Sequence, residues 1–118
     1  MISSDILRGY NDTMILCLLA EKDSYGYEIE REIERRSAGV YSMKETTLYA
    51  AFARLQKNGA ISSYSGSETF GRPRTYFRLT ESGRQLYREK CEEWQLTKQL
   101  IDRFTQNNET DMKEDTES

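Results

Sequence analysis

The sequence predicts a mainly α-helical protein with one small β-hairpin, in the order three short helices, hairpin, long helix. Three observations carry this expectation. Apolar residues recur at helical spacing in four stretches, the period shortens to two between positions 60 and 80, and the single proline, Pro73, falls between the two alternating runs. At 118 residues the chain suits one compact domain with an accessory element.

Asn11 and Asp12, both good N-cap residues, lead into "TMILCLLAEKD", a first helix of about three turns expected to be nearly all buried. Ser24 precedes "YGYEIEREIERRS", where Tyr25, Ile29 and Ile33 recur every four residues and charges fill the other face. Gly39 breaks this second helix. The third has the clearest bounds, because Ser42 and Glu45 stand in the spacing of a capping box and Asn58-Gly59 supplies a left-handed exit. Leu48, Ala51, Phe52 and Leu55 fall on its inward face, leaving Thr46, Ala50, Ala53 and Lys57 outward, flanked by Tyr49 and Arg54. That outward face is small in the middle and basic or aromatic along its rim, so another body can approach the helix backbone closely.

"AISSYS" reads as a first strand, "GSETFGRP" as a hairpin tip, and "RTYFRLT" as a second strand alternating Thr75, Phe77 and Leu79 against Tyr76 and Arg78. Thr80 can cap the last helix, "ESGRQLYREKCEEWQLTKQLIDRFTQ", whose Tyr87, Cys91, Trp94, Ile101 and Phe104 form one apolar stripe. A helix this long has more apolar face than a small three-helix core can cover, so the stripe is expected to meet a second copy of the chain. Residues 107–118 are polar and acidic and are expected to be disordered. The expected organisation is therefore residues 1–80, 81–106 and 107–118.

The formal net charge of −3 hides an asymmetry. Residues 107–118 hold five acidic side chains against Lys113, a balance of −4, and the rest of the chain carries +1. Within that rest, residues 43–78 place Lys44, Arg54, Lys57, Arg72, Arg74 and Arg78 against Glu45 and Glu68, a local +4. With no histidine and two widely spaced cysteines, the chain has neither a Cys/His zinc site nor a Ser-His-Asp triad. No paired carboxylates in an apolar setting and no glycine-rich phosphate loop occur, so neither an enzyme nor a cofactor is expected. Cys17 and Cys91, each among apolar neighbours, are expected to be buried thiols in a reducing cytoplasm. The apolar run at 14–20 is too short for a membrane span and lacks a basic leader, so a cytoplasmic location is expected.

Three helices and a hairpin make a winged helix-turn-helix, in which the third helix enters the DNA major groove and the wing meets the adjacent backbone. On that reading Thr46 and Thr47 contact bases, Lys44 meets a phosphate, and Arg72 and Arg74 clamp the backbone from the wing. Tyr25 and Tyr49 are either phosphate contacts or packing residues. Arg78, within the strand, covers the sheet with its stem.

The ordered motifs "SYGYEIEREI", "TTLYAAFARLQKNGAI" and "RPRTYFRLTESG" resemble those of PadR-type transcriptional regulators of the short subclass with one C-terminal helix. The resemblance spans about residues 6–104. It implies a winged-helix homodimer on double-stranded operator DNA, usually a repressor and often released by a small molecule. In some members a flat aromatic ligand meets a tryptophan in a cavity between subunits; Trp94 matches that position, and reads either as such a contact or as plain interface packing. The chain departs from the family pattern at Ala50, Ala51, Phe52, Gln56 and Ala60. The alternative is a dimeric winged-helix module that binds a protein in place of DNA.

Overall fold

From its N-terminus the chain forms a single helical turn, α1 (Ser4–Leu7), then α2 (Asn11–Glu21), a two-residue strand β1 (Ser24–Tyr25) and α3 (Gly26–Arg36). Next come α4 (Glu45–Lys57), β2 (Ile61–Gly66), β3 (Arg74–Leu79) and α5 (Glu81–Glu117). The structure, a computed structural model, describes residues 2–66 and 73–117, with side chains through residue 106. The protein is thus mostly helical with a small antiparallel sheet of order β1-β3-β2. Two compact units divide inside α5, after Tyr87.

The core of the first unit forms where helical and alternating periods converge. α2 contributes Ile15, Leu16, Leu18 and Leu19, and α3 contributes Ile29 and Ile33. α4 presents Leu48, Ala51, Phe52 and Leu55, the inward face expected from its spacing. Burying each of the larger side chains contributes about 1.5–3 kcal/mol.

The caps differ from expectation at two helices. Asn11 does not cap α2; it lies within the helix, is buried, and accepts a 2.7 Å hydrogen bond from the Tyr41 hydroxyl. Ser42 does not cap α4, which begins at Glu45 behind an extended Lys44 without any side-chain cap. The reason is packing: Tyr41 and Met43 are both buried while Ser42 between them is exposed. Only an extended chain turns alternate residues to one side, so the core overrules the capping box.

Two other ends follow expectation. α4 leaves through Gly59 at φ 78°, with the Ala60 N–H donating to the Leu55 carbonyl at 2.9 Å and the Gly59 N–H to Gln56 at 3.0 Å. Thr80 caps α5, accepting from the Gly83 N–H at 3.0 Å. Thr80 also ties α5 to the loop after α4. Its N–H donates to the Ala60 carbonyl at 3.0 Å, and its hydroxyl lies 2.6 Å from the Gly59 carbonyl.

α5 continues to Glu117, where the sequence reading ended the helix at residue 106 and left 107–118 disordered. Nothing between those points breaks a helix, since the segment lacks glycine and proline and includes Glu, Lys and Met. No helix among the described residues is long and apolar enough to cross a membrane.

An ion-pair network joins the end of α2 to α3. Arg36 binds both Glu21 and Glu32, and Arg35 binds Glu32. Hydrogen bonds from Arg35 and Arg36 hold the Glu32 carboxyl down to about 2. The network is exposed, so it orients the two helices more than it stabilises them.

Gly83 is fixed by close approach. A Cβ there would lie 2.0 Å from the Ala60 carbonyl oxygen and 2.8 Å from a Leu79 methyl. Because the first obstacle is backbone, Gly83→Ala should destabilise the first unit by about 1–3 kcal/mol or more. Urea unfolding followed by circular dichroism checks this, and an unchanged midpoint would contradict the packing described.

Candidate nucleic-acid interface

The outward face of α4 keeps the composition expected for it. Thr46, Ala50, Ala53, Arg54 and Lys57 are exposed, Thr47 is half-buried, and Lys44 is exposed at the start of the helix. Small side chains therefore occupy the middle of the face. Arg54 is not a free cation: its guanidinium grips Asp12 of α2 through two hydrogen bonds of 2.5 and 3.3 Å.

Tyr49, 49% exposed, leans from this face across to the start of α3. A Cβ on Gly26 would lie 2.4 Å from the Tyr49 hydroxyl oxygen, so only glycine leaves the phenol its place. The Tyr49 ring meets Phe52 edge-on at 5.5 Å, and Phe52 stacks on Phe77 of β3 at 4.0 Å. Between α4, the start of α3 and β3 opens a cleft of about 400 Å³ lined by Tyr25, Gly26, Tyr27, Tyr49, Arg74, Thr75 and Phe77.

The cleft brings together three residues singled out from sequence, Tyr25, Tyr49 and Arg74, from three separate elements. Lys44, Thr46 and Thr47 belong to the helix face and do not line it. Arg72 falls within residues 67–72, outside the described residues. Arg74 is the first residue of β3, half-buried, with its guanidinium 4.3 Å from the centre of the Tyr25 ring.

Behind this pair runs a row of rings that sequence reasoning missed. Tyr25 and Tyr76 are partners across β1 and β3 and meet edge-on at 5.4 Å. Tyr76 stacks on Tyr64 of β2 at 5.7 Å, and the Tyr64 hydroxyl donates to Asp23 at 2.6 Å. That bond to a carboxylate raises the Tyr64 phenol above its ordinary range. Arg78 is exposed and lies over the Tyr64 ring at 5.5 Å, covering the sheet as its alternation suggested. The alternation that puts Tyr76 and Arg78 on one face of β3, opposite Phe77 and Leu79, was a visible signal. The pairing of β1 was not, because two residues carry no period.

Along α5 the stripe divides. Tyr87 is half-buried and packs on the core of the first unit. In the second unit Cys91 is half-buried, whereas Trp94, Ile101 and Phe104 are exposed, joined by Leu96 and Leu100, which the stripe had left out.

The family model described as "Transcriptional regulator PadR-like family" matches residues 15–89. A transcriptional regulator from Clostridium thermocellum is 57% identical, with a TM-score of 0.82 over 89% of this chain and 99% of its own. A PadR family transcription regulator from Clostridium difficile is 33% identical, with a TM-score of 0.69 over 80% of this chain and 97% of its own. An uncharacterised protein of Lysinibacillus sphaericus is 45% identical over 88% of this chain and 95% of its own length.

The close approach of Gly26 and Tyr49 predicts a coupling between α3 and α4. Gly26→Ala should destabilise the protein when Tyr49 is present and much less in a Tyr49→Ala background. The difference is expected at about 0.5–3 kcal/mol. A double-mutant cycle by chemical denaturation measures it, and purely additive effects would show that the phenol does not occupy the space above Gly26.

Proposed function

The chain belongs to the PadR-like family of transcriptional regulators, and from that membership we propose how its own residues divide the work on DNA. Members of this family are DNA-binding regulators and not enzymes. In the proposed division, α4 discriminates bases through Thr46 and Thr47, while Lys44 and the wing residues Arg72 and Arg74 hold phosphates. Tyr49 and Tyr25 flank the path of the backbone.

The observation that carries this reading is the outward face of α4, where exposed Thr46, Ala50 and Ala53 leave room for a groove edge. Threonine can hydrogen-bond base edges or touch a thymine methyl. Arginines on a wing act through charge and confer register without sequence preference. The alternative module that binds only protein has less support, because it leaves the family's DNA-binding character without a role.

The reading extends to a homodimer that acts as a repressor. Its support is the exposed apolar set Trp94, Leu96, Leu100, Ile101 and Phe104, which a second copy would remove from water. A two-fold pair would set its recognition helices about 34 Å apart, one turn of duplex. Release by a flat aromatic ligand stacked on Trp94 between subunits completes the proposal, in keeping with the family resemblance.

Two measurements test it. Light scattering in physiological salt should give twice the mass of the chain at micromolar concentration, and a monomer would overturn the dimer. If each subunit neutralises three phosphates through Lys44, Arg72 and Arg74, the slope of log K against log salt should be roughly −5 for the dimer. The double substitution Arg72→Ala and Arg74→Ala should flatten it toward roughly −2 and weaken binding to operator and random duplex alike. Thr47→Val should keep the slope and narrow the preference for operator by about 1–3 kcal/mol per affected base pair. A double arginine variant with the wild-type slope would remove the wing from the interface.

A further inference from the structure

We propose that Tyr25 is a positioning residue for Arg74, holding its guanidinium by stacking so that the N–H edge stays available for a DNA phosphate. The proposal rests on the reading of Arg74 as a phosphate contact. It differs from a direct role for Tyr25, because the ring, and not the hydroxyl, is the working part.

Like Arg31 and Arg78, Arg74 lies over a tyrosine ring, at the shortest distance of the three, and this sets it apart from the arginines that form ion pairs. Arg8, Arg35, Arg36 and Arg54 all grip carboxylates through their N–H groups. Among the described residues Arg74 has no carboxylate partner, and its guanidinium sits 4.3 Å from the Tyr25 ring centre. A carboxylate consumes the N–H edge and cancels the charge. An aromatic face does neither, since a stacked guanidinium keeps its donors pointing outward in its own plane.

The ring is itself held. Tyr25 pairs with Tyr76 through the β1–β3 ladder, and Arg74 lies two residues before Tyr76 on β3, so Arg74 is the diagonal neighbour of Tyr25 on the same face. Tyr76 is braced in turn by Tyr64, which Asp23 anchors through its hydroxyl. Gly66 makes the row possible, for a Cβ there would lie 2.3 Å from the Tyr76 ring. A long side chain at the start of a wing strand is thereby given one orientation before DNA arrives, which lowers the ordering cost of binding.

The test uses the full chain and a random-sequence duplex titrated at several salt concentrations. Arg74→Ala should flatten the salt slope by about 2 per dimer, one contact from each subunit. Tyr25→Leu should lose much of the same slope and affinity, Tyr25→Phe should restore most of what leucine loses, and adding Tyr25→Leu to Arg74→Ala should cost nothing further. If Arg74→Ala flattens the slope and Tyr25→Leu does not, the positioning role fails alone. If Tyr25→Phe is as weak as Tyr25→Leu, the hydroxyl contacts DNA directly and the proposal is overturned. If Arg74→Ala keeps the wild-type slope, the phosphate reading of Arg74 fails and the positioning role with it. The wild-type protein gives a second readout that does not depend on whether a variant folds. Proton resonances of the Arg74 side chain should be shifted upfield by the Tyr25 ring, and unshifted resonances would overturn the stack.

Discussion

The stack of Phe52 on Phe77 is the contact on which the arrangement of helix and hairpin depends. Both rings are buried, their centres are 4.0 Å apart, and one belongs to the inward face of α4 while the other sits on the central strand of the sheet. Phe77 pairs with Ser24 on one side and Ser63 on the other, so a shift of this ring would move all three strands. Arg74 lies three residues before it on the same strand. Phe52 also receives the edge of Tyr49, which registers an exposed phenol against a buried ring. The groups proposed to meet DNA thus take their positions from an apolar pair that never touches it.

Two glycines show how closely the helices and the wing must approach, and they differ in what they meet. At Gly83 the obstacle is the Ala60 carbonyl, a backbone group held by the Thr80 N–H and unable to move without opening the joint between α4 and α5. At Gly26 the obstacle is the end of the Tyr49 side chain, which can rotate away. The first glycine is therefore the stricter requirement, while the second, besides its coupling to Tyr49, sets the shape of a surface. At both positions a second element comes nearer than a Cβ allows, which is the close approach that glycine permits.

Much of the fold was legible because its determinants are local. The inward face of α4, its exit at Gly59, the two wing strands and the Thr80 cap all follow from spacing or from one residue's backbone preference. What was illegible depends on partners distant in sequence. Ser24 and Tyr25 become a strand only because β3 supplies the ladder, and Asn11 is drawn from capping by Tyr41, thirty residues away. Ser42 loses its capping role because Tyr41 and Met43 must both reach the core. The candidate site was legible in part: the residue types on α4 and the wing were visible, but not that Arg54 is engaged by Asp12 or that Arg74 rests on Tyr25.

Those two arginines also bear on how a chain of net charge −3 can face a polyanion. Counting residues 43–78 gives +4, yet Arg54 is neutralised by Asp12, which lies outside that count. The helix face is consequently less cationic than its composition suggests, and small side chains and hydroxyls dominate it. On the wing the balance runs the other way, because Arg74 and Arg78 rest on tyrosine rings that leave their charge intact. Long-range attraction depends on uncompensated charge, whereas discrimination between base pairs depends on uncharged donors, acceptors and shape. In the proposed division of work, the ion pairs within the domain would thus separate the two tasks, leaving the helix to read and the wing to attract. Whole-chain charge has little say in this, since screening confines each cation's influence to about 10 Å at ordinary salt.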